Sequence, residues 1–559
     1  MMHRIALCLC LITLNQSLAQ RTPADTAPAS NKVPDVIPLT APSMVVVVLD
    51  ERLPMSKLAP AVLIDNLCLY KYRVGTTSDK CQAYVDQALG YYYSYVYIEA
   101  VRSAETALRH DPDCAYAWLI LHNGLERWRK QLATDALKKA QEKMPLAPHR
   151  EQLIIKAKLQ EKGLLEGDKN TTLEAKRNAA IATLNDMLTI YDDDEEAWFA
   201  RAAIHGGSHG GSKDGVPFHK ALLKINPLHP GSNHELVHFY EGSRRPALGW
   251  PYAEGYIASS PGLPHAWHMQ AHLAMRIGKW DKTTDRSAKA IELQRQYHEV
   301  QGVKNTQDHQ FSHHMETLML SLLHDGRYSE AELHRKLCES YNYKFNFPFF
   351  RIALGRHQWE EAEKIIGQQQ RSDKTMAAYF SALVAVEKGD VDRLKKQVDV
   401  LKEAQAKRKS DRRLELRYLE MQGRLACLTN DGDAGLKLLK KAVDKTIADY
   451  SHHAWGGGGY YMESWGVGAL EAGDAVQAEE AFLEALAHDS GSVRAALGME
   501  VLCQRLGRTE EANRFAALAS RLWKNADPLD IQRIREGLSK KAQRITLPSK
   551  PATTASSSD

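Results

Sequence analysis

The chain has 559 residues, with 73 lysines and arginines against 69 aspartates and glutamates, and its formal net charge is +4. Charges so close to balance lack the one-sided excess typical of nucleic-acid or membrane-surface partners, so we exclude both as main partners. The length suits several compact domains or one long repeat array.

Residues 1–19 have the order of a secretory signal. A single arginine, Arg4, precedes an apolar run over residues 5–14, and the small residue Ala19 marks the expected cleavage point. That run is too short to span a membrane, and no later run reaches the roughly 18 apolar residues that a spanning helix needs. We therefore expect an exported protein, periplasmic or secreted, with no transmembrane segment.

The segments that flank the body of the chain are predicted to be unfolded. Residues 20–55 form a linker rich in Pro, Ala and Thr at its start, with a short strand as one reading of residues 44–50, and residues 541–559 form a similar tail. Between them we predict two helical regions, 56–340 and 341–540.

Six cysteines remain after the signal is removed. Cys68 and Cys81 flank a turn-rich stretch, so in an oxidising compartment they could form a disulfide, and the alternative is two buried thiols. The others are predicted to be small core residues: Cys114, Cys338, Cys427 and Cys503.

The sequence pattern of the helical regions repeats every 34 residues. Gly473 and Gly507 are 34 residues apart, and so are Ala478 and Ala512. This period, with Gly between two helices and small residues in the second, is the signature of the tetratricopeptide repeat (TPR). The same large, small and proline positions recur near the front at Tyr84, Ala88, Tyr91, Tyr97, Ala100, Ala104, Ala107 and Pro112. The sequence predicts an all-α, right-handed TPR-type solenoid that can divide into two arcs near residue 340.

Histidines follow the same repeat in the middle of the chain. With Gly278 as repeat position 15, the groove positions 2, 5, 9 and 13 are His265, His268, His272 and Arg276. His234 and His238 precede His268 and His272 by 34 residues, and Glu241 takes position 12. In the next unit, after an insertion, His313 takes position 2 and Glu316 takes position 5. Three consecutive groove helices are thus predicted to carry His or Glu at matched heights.

Imidazoles from neighbouring helices can share one ion, and a carboxylate can complete a site for zinc, iron or copper. The predicted metal ligands are His234, His238, His268, His272 and Glu316, and the predicted ligand-binding residues are Asn233, Glu241, His265, Arg276 and His313. A metal-free groove for a peptide or small ligand, and a purely structural role for the histidines, remain alternatives.

The segments HPGSNHELVHFYE, PHAWHMQAHLAMRIGKW and SHHMETLMLSLLHDGR resemble a family of exported bacterial TPR proteins with the motifs N-H-x3-H-x2-E and H-x2-H-M-x2-H. The resemblance covers roughly residues 75–335 and implies that the Asn, His, Glu and Arg positions named above are shared polar positions. Two positions depart from it: Glu316 stands for a histidine, and an F-x-H motif reads Val96-Tyr97 at its end. The resemblance implies the fold and the site, and no particular activity.

Three functions remain open. The first is a binding or scaffold protein, with a protein or peptide partner, whose groove holds a ligand and a divalent metal. The second is a metal-dependent hydrolase in which Glu241 or Glu316 accepts a proton and Arg276 holds an anionic substrate. The third is a metal-free scaffold for a protein partner. No catalytic residue can be assigned from spacing, and the balance of features favours binding over catalysis.

Overall fold

The computed structural model describes residues 52–165, 171–205, 213–447 and 459–546. The predicted signal, the strand reading at 44–50 and the tail beyond residue 546 lie outside the described residues. Leu53 and Ile545, close to the ends of the described chain, are both buried. None of the helices described is long and apolar enough to cross a bilayer.

Twenty-five α-helices make up the described part of the chain. The first thirteen are α1 (Asp79–Tyr93), α2 (Tyr97–His110), α3 (Ala115–Trp128), α4 (Lys130–Lys143), α5 (His149–Lys162), α6 (Leu173–Ile190), α7 (Glu195–Ala203), α8 (Val216–Ile225), α9 (Pro230–Glu241), α10 (Trp250–Ser259), α11 (Pro264–Arg276), α12 (Trp280–Gln301) and α13 (Phe311–His324). The others are α14 (Tyr328–Ser340), α15 (Asn346–Gly355), α16 (Trp359–Ser372), α17 (Lys374–Lys388), α18 (Val391–Lys407), α19 (Arg412–Leu428), α20 (Gly432–Thr446), α21 (Tyr460–Ala472), α22 (Ala475–His488), α23 (Val493–Arg505), α24 (Thr509–Leu522) and α25 (Pro528–Lys541). Short 3-10 helices occur at Met144–Leu146, Pro246–Gly249, Asn305–Gln307 and Ala542–Arg544.

The all-α helical-repeat prediction is confirmed. Most helices pack on the next helix in the chain, and no strand occurs in the four described ranges. The predicted small positions of the first repeat, such as Ala100 and Ala104, are fully buried, which lets paired helices approach closely. The glycines that define the 34-residue period, Gly473 and Gly507, both adopt positive φ in the turn after a helix.

Two distant turns touch through glycine. A methyl group on Gly278, which has φ of 67°, would lie 2.4 Å from the backbone nitrogen of Gly491. Beside this contact the Trp280 indole nitrogen donates to the buried Asp489 carboxylate at 3.1 Å. The turn after α11 is thereby fixed against the turn before α23.

We expect Gly278→Ala to lower the free energy of unfolding by about 2–4 kcal/mol, because it adds a steric clash to the cost of a left-handed non-glycine residue. Gly389→Ala is the matched control, since Gly389 also has positive φ but nothing within 4 Å of the added methyl group. Urea unfolding should show a loss of only about 1 kcal/mol for the control. Equal losses in the two variants would contradict the contact.

The disulfide reading of Cys68 and Cys81 is wrong, and of the two buried thiols in the alternative, Cys81 is buried and Cys68 is half-buried. Both thiols are free, and Cys68 Sγ lies 3.4 Å from Ser260 Oγ. Cys81 instead shares a hydrogen bond with Cys114. The turn-rich stretch between Cys68 and Cys81 leads the two side chains to different neighbours. The four cysteines predicted to be core residues are buried.

Candidate metal centre

Three helices carry the histidine cluster. Proline opens both α9 and α11, where its fixed φ suits the first helical turn, and the His229 side chain caps α9 by accepting from Ser232 N. Helical spacing then places side chains three and four residues apart on one face. Because α9 packs against α11, their histidine-bearing faces meet, and α13 adds His313 and His314.

The first set of three imidazoles, called set 1, comprises His234, His238 and His265. One ring nitrogen from each lies within 4.8 Å of the others. His234 Nδ1 donates to the Tyr93 carbonyl at 2.5 Å, which leaves Nε2 with its lone pair, and that atom lies 3.0 Å from His265 Nε2. His238 Nδ1 lies 3.3 Å from the Glu241 carboxylate. In a metal-binding histidine, the ring nitrogen that does not bind the ion usually donates to a carbonyl or a carboxylate. The Nδ1 atoms of His234 and His238 have such partners.

The second set, called set 2, comprises His268, His272 and His313, with ring nitrogens again within 4.8 Å of one another. His272 Nδ1 lies 2.9 Å from Glu241 Oε1. His268 is fully buried, and neither of its ring nitrogens has a hydrogen-bond partner among the described residues. Leaving a buried polar group unpaired costs about 1–3 kcal/mol, which a bound cation would offset.

One further imidazole, His314, lies between the two sets, and the sequence analysis did not identify it. Its ring centroid is 3.9 Å from that of His268 and 6.0 Å from that of His265. Its Nδ1 is hydrogen-bonded to Gln294 Oε1, and its Nε2 has no partner in the part of the chain described. The signal in the sequence was the adjacent pair His313-His314 at the start of a groove helix.

Burial keeps four imidazoles of the cluster, His265, His268, His313 and His314, uncharged near neutral pH. Burial lowers the pKa values of His265, His268 and His314 well below the usual value, and burial together with His272 lowers the pKa of His313 to about 4. Burial opposes ionisation of Glu241, but His272 and His238 outweigh it, so the pKa of Glu241 is lowered. These four neutral imidazoles can bind a cation without first losing protons.

This electrostatic state predicts the proton balance of metal binding. At pH 6, an ion bound by three histidines of ordinary pKa displaces roughly two protons, because most imidazoles of ordinary pKa are protonated at that pH. We expect no more than about one proton per ion here, because burial keeps His265 of set 1 and both His268 and His313 of set 2 neutral. Calorimetric zinc titrations in two buffers of different ionisation enthalpy measure this number directly. Release of two or more protons per ion would show that the imidazoles are not held neutral.

Other predicted site residues have different surroundings. Asn233 Nδ2 donates to the Pro227 and His229 carbonyls and so holds the start of α9. Arg276 Nε donates to the backbone carbonyl of Glu241, which ties the ends of α9 and α11 together. Glu316 is exposed and lines a separate cavity near Lys344. The structure brings together His234, His238, Glu241, His265, His268, His272 and His313, and it does not bring Glu316 to them.

An aromatic side chain in a strained backbone conformation covers set 1. Tyr95 has φ of 59°, a left-handed conformation that is costly for a bulky residue. Its ring lies 4.4 Å from that of His234 and stacks on His238 at 5.7 Å, while its hydroxyl donates to Glu235 at 2.6 Å. Tyr97, the position that departs from the family motif, stacks on Tyr95. Such strain persists where the surroundings over-determine it, as around a binding site.

Comparison with known proteins adds no identity. No family model matches the chain, and no curated protein matches it. The solved structures found include yeast Tom70, with 13% identity, a TM-score of 0.22, and coverage of 82% of this chain and 93% of that one. They also include the P58(IPK) TPR domain, with 14% identity, a TM-score of 0.17, and coverage of 70% of this chain and 98% of that one. A third is Naa15/Naa10 bound to HypK-THB, with 12% identity, a TM-score of 0.23, and coverage of 82% of this chain and 91% of that one. TM-scores of this size carry no inference about this chain.

Proposed function

We propose that this protein is a helical-repeat protein that binds transition-metal ions, one in set 1 and one in set 2. The observation that carries the proposal is the buried cluster of imidazoles, in which Nδ1 atoms are anchored on a carbonyl or on Glu241. Among the described residues, both ring nitrogens of His268 and Nε2 of His314 have no hydrogen-bond partner. A structural cluster would satisfy those nitrogens with protein groups.

The donor set favours zinc or copper. Three imidazoles leave a fourth coordination position open, an arrangement used by zinc and copper, whereas non-haem iron sites usually add a carboxylate ligand. Glu316 lies apart from both sets, and both Glu241 oxygens already contact imidazole nitrogens. Iron, which was open at the level of the sequence, is therefore the least suitable of the three.

Binding fits the site better than hydrolysis. A general base needs a pKa near the working pH, but His272 and His238 hold the pKa of Glu241 low and occupy both of its oxygens. Arg276, which the hydrolase hypothesis assigns to an anionic substrate, instead donates from Nε to the backbone at the end of α9. We include in the proposal an exported location, where the protein would hold or present metal ions, and a protein or peptide partner on the repeat surface.

The test is the metal content and affinity of the untagged full-length protein. After exposure to zinc or copper and removal of excess ion, mass spectrometry should find two ions per chain, and competition with a chromophoric chelator should give the affinity of each. An affinity no better than that of isolated histidine for both metals would refute the proposal and leave a metal-free scaffold.

A further inference from the structure

We propose that the two sets form one dinuclear centre in which Glu241 is a positioning residue shared by both ions. This inference rests on the proposed function. It adds that loading one set changes the affinity of the other, and that the coupling passes through this carboxylate.

The first step is the contact geometry of Glu241. Its Oε2 lies 3.3 Å from His238 Nδ1 in set 1, and its Oε1 lies 2.9 Å from His272 Nδ1 in set 2. One rigid, planar group therefore fixes one imidazole of each set. The carboxylate side chain is only 12% exposed, so water competes little for these contacts.

The second step is the continuity of the cluster. His265 of set 1 and His268 of set 2 are one helical turn apart on α11, with ring centroids 5.7 Å apart. His314 contacts the rings of both, at 6.0 Å and 3.9 Å. Because His265 and His268 are neighbours and His314 contacts both rings, a ring rotation in one set is transmitted to the other through these imidazoles.

The third step is charge. Two dications in a buried region repel each other and need a nearby anion. Among the described residues that the ion-pair geometry identifies, Glu241 is the carboxylate that contacts both sets. Glu235 on the same helix accepts from the Tyr95 hydroxyl, and Asp308 contacts His298 and Gln294, next to His314.

These steps give a direction for the coupling. The first ion orders its own imidazoles and, through them, the Glu241 carboxylate, which then holds the remaining imidazole in the orientation and tautomer that the second ion requires. We expect His265→Ala, which removes a ligand of set 1, to weaken binding at set 2 about tenfold. The same substitution on a Glu241→Gln background should leave set 2 unchanged, since the coupling has been removed.

The experiment compares Glu241→Gln with Glu254→Gln, the same chemical change at an exposed glutamate of α10 that accepts a hydrogen bond from Trp250 Nε1. Zinc affinities from chelator competition should fall about 10–100-fold at both sets in Glu241→Gln, the usual effect of losing a second partner of a ligand histidine, and stay unchanged in Glu254→Gln. Helix content by circular dichroism, compared between the variants, checks that both are folded.

A spectroscopic measurement on the wild-type protein needs no variant. When the protein is loaded with two copper(II) ions per chain, spin–spin interaction should broaden or abolish the electron paramagnetic resonance signal. One ion per chain should give the signal of an isolated copper(II) ion. Two independent signals at full loading, or a loss confined to one set in Glu241→Gln, would overturn the dinuclear centre while leaving metal binding intact. A wild-type protein that binds no metal would instead refute the proposed function.

Discussion

The variant that combines His265→Ala with His268→Ala is expected to bind neither ion. Each substitution removes one of three imidazole ligands, one from set 1 and one from set 2. Losing a direct ligand should cost more than the roughly 10–100-fold typical of a second partner, so at micromolar metal the variant should be empty. Metal analysis after gel filtration measures the loss, from two ions per chain to none.

The control for this variant is a histidine outside the cluster. His149, which is exposed at the start of α5 and hydrogen-bonded to Tyr191, should be replaceable by alanine with no loss of metal. The single variants refine the result, because His265→Ala should keep at most one ion, in set 2. Two ions retained by the combined variant would mean that the metal lies elsewhere in the chain.

The part of the site that could be predicted from sequence follows the regular repeat. His234 and His238 align with His268 and His272 because α9 and α11 are equivalent helices of adjacent repeats, and equal offsets on equivalent helices give equal heights. Periodicity alone therefore brought these four imidazoles together. It also placed His265 near them, one turn earlier on α11.

The part that failed lies beyond the insertion. Helix α12 is 22 residues long and is followed by a 3-10 helix, so the insertion changes both a helix and the connection before α13. The repeat pattern assigned groove position 5 of α13 to Glu316, whereas in the structure His314 is the residue that faces the histidine cluster. These residues are two positions apart, about 200° around the helix, so only one of them can face the cluster.

Sequence also could not specify the role of Glu241. It was predicted to bind ligand, and spacing does not reveal which ring nitrogen of a histidine a carboxylate meets. In the structure its two oxygens contact the Nδ1 atoms of His238 and His272. Glu241 therefore holds the proposed metal-binding histidines and is not itself placed as a ligand. That distinction depends on side-chain rotamers set by packing between α9 and α11, and no one-dimensional pattern encodes it.

His268→Leu is expected to change metal binding and stability in opposite directions. Without metal, the substitution removes two buried ring nitrogens that lack partners among the described residues and leaves an apolar side chain in their place. We expect the free energy of unfolding of the metal-free protein to rise by about 1–2 kcal/mol. The metal bound at set 2 should be lost at the same time, and with it about 2.7 kcal/mol of stabilisation at a metal concentration 100 times the dissociation constant.

His122→Leu distinguishes this effect from a general gain in hydrophobicity. His122 is also buried, but its Nδ1 donates to the Ala133 carbonyl at 2.9 Å and its Nε2 lies 3.6 Å from the Glu126 carboxylate. Replacement removes these two contacts and should destabilise the protein by about 0.5–1.5 kcal/mol. Urea unfolding of both variants, with chelator and with zinc, gives the four values needed. If His268→Leu destabilised the metal-free protein as His122→Leu does, His268 would be a structural residue. A gain in stability coupled to a loss of metal is the signature of a residue kept for binding at the expense of the fold.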